Sequence, residues 1–161
     1  MLRLVVLFAG LLAVQGQTTN VQRCTGRAAQ NAPLPINAYV EGCINPPCQL
    51  PVGTFATVHL VFKAPRTMTR MTTRAQAFLI FAIDYPLGEF AETCNFLNNS
   101  FCPVMKDEVL EYTLQMKIEE AFPVGVSPHV EFRIEDDANE PITCIRVRIM
   151  VAPPLPQLTA A

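Results

Sequence analysis

An all-β sandwich of two antiparallel sheets, with about seven strands, is the architecture this chain is patterned to form. Three observations point there. Several segments alternate apolar and polar residues with a period of two. Clusters of Gly, Pro, Asn and Asp separate those segments. No stretch carries the three-to-four-residue apolar spacing of a helix of ordinary length. Six cysteines, all downstream of an apolar leader, add the expectation of a secreted domain held by disulfides.

The elements follow in chain order. Residues 1–16 read as a secretory signal: Arg3 is a short basic start, residues 4–14 are an apolar run, and Val14-Gln15-Gly16 resembles a cleavage site. The run is shorter than the ~20 residues that span a bilayer. The folded domain is expected over 17–151. Pro33 and Pro35 precede one strand, and residues 55–62 are a β-branched and aromatic strand. Residues 74–83 are apolar on both faces and read as one buried strand, ended by Tyr85-Pro86-Leu87-Gly88. Leu110, Tyr112, Leu114, Met116 and Ile118 alternate with polar partners. So do Val130, Phe132 and Ile134, and then Ile145, Val147, Ile149 and Val151. Each set predicts one buried face and one wet face. Asp136-Asp137-Ala138-Asn139 is a hairpin turn, because Asp and Asn bond their own backbone there. Residues 152–161 form a Pro-rich C-terminal tail.

Charged residues make up 16% of the chain and the net charge is −2, against a usual charged share of about 25%. Such a surface does not attract nucleic acid. It leaves apolar area to be hidden inside the fold or against a ligand. The cysteines stand at 24, 43, 48, 94, 102 and 144. They permit fifteen pairings, among which sequence alone does not choose. Loop closure favours the near neighbours Cys43–Cys48 and Cys94–Cys102, which leaves Cys24–Cys144. Zinc needs two close cysteine arms or a paired histidine arm, and His59 and His129 are far apart. No metal and no cofactor are expected. Neither a Gly-x-Ser-x-Gly elbow nor a metal-binding His pair occurs, so the chain is not expected to be an enzyme. Asn98-Asn99-Ser100 is a glycosylation sequon. Lys63, Arg66, Arg70 and Arg74 form a basic row that suits either a solvated connection or an anionic membrane.

Certain stretches resemble a known family. Val21-Gln22-Arg23-Cys24, Gly42-Cys43-Ile44-Asn45-Pro46-Pro47-Cys48-Gln49-Leu50-Pro51-Val52-Gly53, Cys102-Pro103-Val104-Met105-Lys106-Asp107, Ala121-Phe122-Pro123 and Val130-Glu131-Phe132-Arg133-Ile134-Glu135-Asp136-Asp137 before Cys144 are similar to the ML lipid-recognition domain. The likeness is to its Niemann-Pick type C-two, or epididymal secretory, branch. The missing Trp and the long Cys94–Cys102 loop suit arthropod-type members. The resemblance implies an immunoglobulin-like β-sandwich with three disulfides, Cys24–Cys144, Cys43–Cys48 and Cys94–Cys102, and a lipid cavity between the sheets. It places pocket residues at Ile118, Phe122 and Pro123, and at Tyr85 and Pro86. The inward-facing Tyr112, Leu114, Met116, Phe132, Val147 and Ile149 complete the expected lining, with Cys94–Cys102 bracing a loop near the mouth. The ligand implied is a sterol, fatty acid or related lipid, delivered by transient contact with a membrane or membrane protein. A monomeric carrier is expected, secreted or lysosomal. Recognition of microbial lipids in innate immunity and carriage of semiochemicals are the alternatives.

Overall fold

The structure, a computed structural model, describes residues 16–29 and 31–156. Apart from Gly16, the expected leader lies outside the described residues, as does the end of the tail. Among the described residues eight strands form: β1 (Asn37–Val40), β2 (Cys48–Pro51), β3 (Phe55–Lys63), β4 (Met71–Phe78), β5 (Ala82–Tyr85), β6 (Val109–Lys117), β7 (His129–Asp136) and β8 (Pro141–Ala152). They build two sheets, ordered β1-β3-β6 and β2-β8-β7-β4-β5. The core between them is continuous and includes Leu60, Phe62, Tyr112, Leu114, Phe132 and Ile145. This is an all-β sandwich of the immunoglobulin-like kind. Its three disulfides are Cys24–Cys144, Cys43–Cys48 and Cys94–Cys102.

The alternating segments behave as their pattern requires. In β6, Leu110, Tyr112, Leu114 and Met116 are buried, while Val109, Glu111, Gln115 and Lys117 are exposed. Asp136 and Asn139 close the β7–β8 turn, where Asn139 takes a left-handed φ of 59° and its N–H donates to the Asp136 carbonyl.

Three expectations need correction. First, the sheets are not antiparallel throughout: β2 runs parallel to β8, with Cys48 opposite Ile149. Four residues held by the Cys43–Cys48 link are too few to show a strand pattern. Second, residues 74–83 are not one buried strand. They are the end of β4, a tight turn and the first half of β5, with Ala77 opposite Ile83. Leu79, Ile80 and Phe81 stand in solvent, Ile80 at 97% exposure. A run of apolar residues without Gly or Pro hid the turn. Third, the outward face of β7 is not wet: Glu131 and Glu135 are buried.

The third correction has a nonlocal cause. Cys24–Cys144 ties residues 24–29 across the outside of β7 and β8, where Cys24, Ala29, Ala32 and Cys144 form a small second core. Glu131 sits beneath this strap. It accepts from the N–H of Thr25 (2.7 Å), the N–H of Gly26 (3.3 Å) and Nη1 of Arg146 (2.8 Å). Gly26 is glycine for space: a Cβ there would lie 2.8 Å from Oε2 of Glu131. Buried carboxylates survive only when so paired.

The segment after Cys94 protects the open edge of β6. The Asn98 N–H donates to the Glu111 carbonyl (2.7 Å). The Asn99 amide donates to the Val109 carbonyl (2.9 Å) and accepts from the Glu111 N–H (2.8 Å). A side chain thus replaces a ninth strand and blocks edge-to-edge pairing.

Asp136 gives a pH prediction. Burial opposes its ionisation, but the Arg66 guanidinium and the N–H groups of Glu140 and Ala138 outweigh it and hold the carboxyl below its ordinary value. A depressed folded pKa stabilises the protein above the unfolded value, near ~3.9, and the gain is lost as pH falls through the folded one. Asp136→Asn is therefore expected to cost about 1–3 kcal/mol at neutral pH. Denaturant melts should show its curve converging with the wild type below about pH 4. A gap that persists at lower pH would contradict the account.

Candidate functional site

One end of the sandwich is left partly open. The β4–β5 hairpin and the segment joining β6 to β7 stand on either side. Between them lies a cavity of about 260 Å³, walled by Ala77, Leu79, Ile83, Tyr85, Met116, Phe122, Pro123, Val126, Pro128, Val130, Ile149 and Val151. Every wall residue is aliphatic, aromatic or proline. Nothing in it polarises a bond or holds a metal.

Several local features shape this wall. Gly125, at a φ of 88°, turns the 123–128 segment back along β8. There its N–H donates to the Val151 carbonyl (2.8 Å), and the Val151 N–H donates to Val126 (2.9 Å). The Ser127 hydroxyl fixes the next turn by donating to the Ile149 carbonyl (2.6 Å). Phe122 meets Tyr85 edge to face, with centroids 5.8 Å apart and planes at 63°. The Tyr85 hydroxyl donates to the Lys117 carbonyl (2.7 Å). That bond ties β5, the edge of one sheet, to β6, the edge of the other. Burial, then the Glu119 carboxylate, raise the Tyr85 phenol above its ordinary value, so it remains a neutral donor. The ring faces the cavity and its one polar atom is already satisfied.

The expected lining divides in two. Tyr85, Met116, Phe122, Pro123 and Ile149 stand in the wall. Tyr112, Leu114, Ile118, Phe132 and Val147 do not; they are closed in packed core, because the sheets meet fully away from the open end. Tyr112 instead anchors a buried polar cluster. Thr73 donates to its hydroxyl (2.8 Å), the hydroxyl donates to the Phe90 carbonyl (3.3 Å), and burial pushes its pKa up to about 12. Pro86 lines a different cleft, on the outer face of the larger sheet. Leu79 and Ile83 carry no signal of a wall position, because the apolar pattern of 74–83 does not mark their hairpin. Val130 and Val151 could have been found, since alternation already turned them inward. Val126 and Pro128 carry no pattern, being placed by backbone bonds to β8.

Other expected features fall elsewhere. Cys94–Cys102 is not near the mouth. After Tyr85 the chain runs back along β4, where Glu92 bridges Thr72, so the disulfide lies toward the closed end. The basic row does not form a free cationic face: Lys63 pairs with Asp107 (2.9 Å), Arg66 with Asp136, Arg70 with Glu92 and Arg74 with Glu135 (2.7 Å). Asn98 is exposed, its amide donating to Thr113 (2.8 Å). His59 lies on the outer face of β3 between Glu41 (2.8 Å) and Thr113 (3.1 Å). No helix among the described residues is long and apolar enough to cross a membrane.

A disulfide-framed sandwich opened at one end around an apolar hollow belongs to the class of small-ligand containers rather than solid sandwiches. The ML domain family model matches residues 18–151, and the chain belongs to that family. It is 25% identical over 113 residues to the mouse NPC intracellular cholesterol transporter 2, covering 70% of this chain and 73% of that protein. The crystal structure of a Niemann-Pick type C2 protein from the Japanese carpenter ant superposes with a TM-score of 0.68 at 18% identity. That match covers 81% of this chain and 98% of the ant protein, and it shows the shared fold.

Proposed function

We propose that this protein is a secreted carrier that binds an apolar lipid between its sheets and exchanges it with membranes. The cavity carries the reading: about 260 Å³ of space with a hydrocarbon wall, open at one end of an otherwise packed core. Removing ~300 Å² of ligand surface from water gains roughly 7 kcal/mol before the costs of ordering. Tyr85, Met116, Phe122, Pro123 and Ile149 are the proposed contacts. Ligand pockets usually hold about 300–1,000 Å³, so a single acyl chain suits the closed cavity and a sterol needs the rim to part. The name of the mouse relative supports the sterol. Catalysis has no place in this reading, because the wall offers no nucleophile, acid or base.

The rim supports the membrane step. Leu79, Ile80, Phe81 and Ile83 on the hairpin and Val124 opposite are all exposed apolar residues beside the opening. Apolar groups gathered at one end gain free energy on entering the interfacial layer of a bilayer. Ile80→Asp with Phe81→Asp should slow transfer of a fluorescent lipid between vesicles at least about tenfold. Affinity for the same lipid in solution should stay unchanged, since neither residue lines the cavity. An equal loss of affinity would mean that the hairpin builds the pocket rather than docks it.

The binding reading is tested by native mass spectrometry of secreted, then delipidated protein, followed by displacement of a fluorescent sterol or fatty acid. A delipidated protein that takes up neither ligand would remove the reading. Secretion itself would show as a mature chain lacking residues 1–16, with glycan on the exposed Asn98.

A further inference from the structure

On the outer face of the larger sheet, Arg74 of β4 stands directly opposite Arg133 of β7. Like charges in cross-strand register repel and cost stability. The sheet tolerates this pair through one carboxylate. Glu135, buried beneath them, accepts Nε of Arg74 at Oε2 (2.7 Å) and Nε of Arg133 at Oε1 (2.6 Å). Two cations therefore share one anion. The terminal nitrogens of both guanidiniums make no hydrogen bond among the described residues. A third arginine, Arg27, reaches the same place from the 3-10 turn Arg27–Ala29 and has no carboxylate partner among those residues. The three line one cleft of about 800 Å³ together with Thr72, Asp84 and Tyr85. Asp84 is already engaged by the Gln76 amide (2.9 Å). In a chain of net charge −2, a concave site with three guanidiniums and two carboxylates is a local positive excess.

We infer that this cleft binds a phosphate group. Guanidinium forks match the oxygen spacing of phosphate, and their charge-assisted bonds are among the strong ones. A cationic concavity with spare donors is what such a group requires. The phosphate is carried free, on a soluble monoester or on a monoester lipid headgroup, and the site recognises the shared dianionic chemistry. It lies outside the apolar cavity and does not depend on lipid being held there.

The test follows the Nε–H resonances of Arg74 and Arg133 by NMR in the full folded domain, with inorganic phosphate titrated against chloride at matched ionic strength. Parallel co-sedimentation uses phosphatidylcholine vesicles with and without phosphatidic acid. Saturable shifts with phosphate alone are expected, weakened at least about tenfold in Arg27→Gln with Arg74→Gln. Arg133 keeps Glu135 paired in that variant, and Arg27→Gln alone, which removes no hydrogen bond or ion pair among the described residues, is the fold-safe control. Response to inorganic phosphate without vesicle recruitment assigns the site to soluble phosphate. Recruitment by phosphatidic acid that depends on Arg27 assigns it to a headgroup. Absence of both responses, or responses unaltered in both variants, overturns the site. Phe122→Asp should leave the phosphate response intact, so failure of the lipid cavity and failure of this cleft are read separately.

Discussion

Phe122→Asp is expected to weaken uptake of an apolar ligand by at least about 100-fold while the protein still folds. Phe122 forms part of the cavity wall and is only partly buried. A carboxylate there must either lose its water when ligand enters or keep that water inside the cavity. Burying a polar group without a partner costs roughly 2–7 kcal/mol, and about 1.4 kcal/mol is tenfold in affinity. Stability should fall far less, because the charge remains hydrated when the cavity is empty. The loss is the edge-to-face contact with Tyr85, worth about 0.5–1.5 kcal/mol, and some packing. Displacement titration of a fluorescent fatty acid or sterol, beside a thermal melt, separates the two effects. Unchanged affinity would place the ligand elsewhere; a collapsed melt would make Phe122 a residue of the core.

The second large effect concerns the strap. Glu131→Ala should destabilise the protein by about 3 kcal/mol, the low end for breaking a buried pair. Arg146 keeps some relief, since its guanidinium also lies 4.9 Å from the centre of the Phe78 ring and is slightly exposed. The N–H groups of Thr25 and Gly26 lose their acceptor outright. Glu131→Gln retains an acceptor for those amides and should cost less. The Cys24–Cys144 link holds the same segment, so the two losses should not add. In a double-mutant cycle with both cysteines changed to serine, Glu131→Ala should cost less than it does alone. Strict additivity, measured by denaturant unfolding, would refute a shared role in fastening the strap.

These two residues also mark what local pattern reveals. Met116 and Ile149 are visible as inward positions because β6 and residues 145–151 of β8 alternate. Phe122, Pro123 and Tyr85 were reached through family likeness, since no periodicity runs through their segments. Glu131 looked like any polar residue on a wet face. Its burial depends on a strap anchored more than a hundred residues away in sequence, and no local pattern carries that. The hairpin at 79–81 was missed for the opposite reason: its residues have the composition of a core and the position of a surface. Apolar residues betray their place only when packing decides it. The extent of the cavity was equally hidden, because Tyr112, Leu114 and Phe132 share the wall's pattern yet lie where the sheets have closed.

The placement of the disulfides bears on how fast a ligand is taken up. None of the three links joins the 79–83 hairpin to the 119–128 segment. The frame is covalent, but its gate is held by weak contacts: the Tyr85 hydroxyl on the Lys117 carbonyl and, at 3.5 Å, on Glu119, with one aromatic edge. Opening the gate therefore requires no change in the links that secure the fold. Capture and release can then proceed on the timescale of loop motion, while the scaffold unfolds only on its own much slower clock. Amide exchange should show the same separation, quick at the rim and slow along β7 and β8.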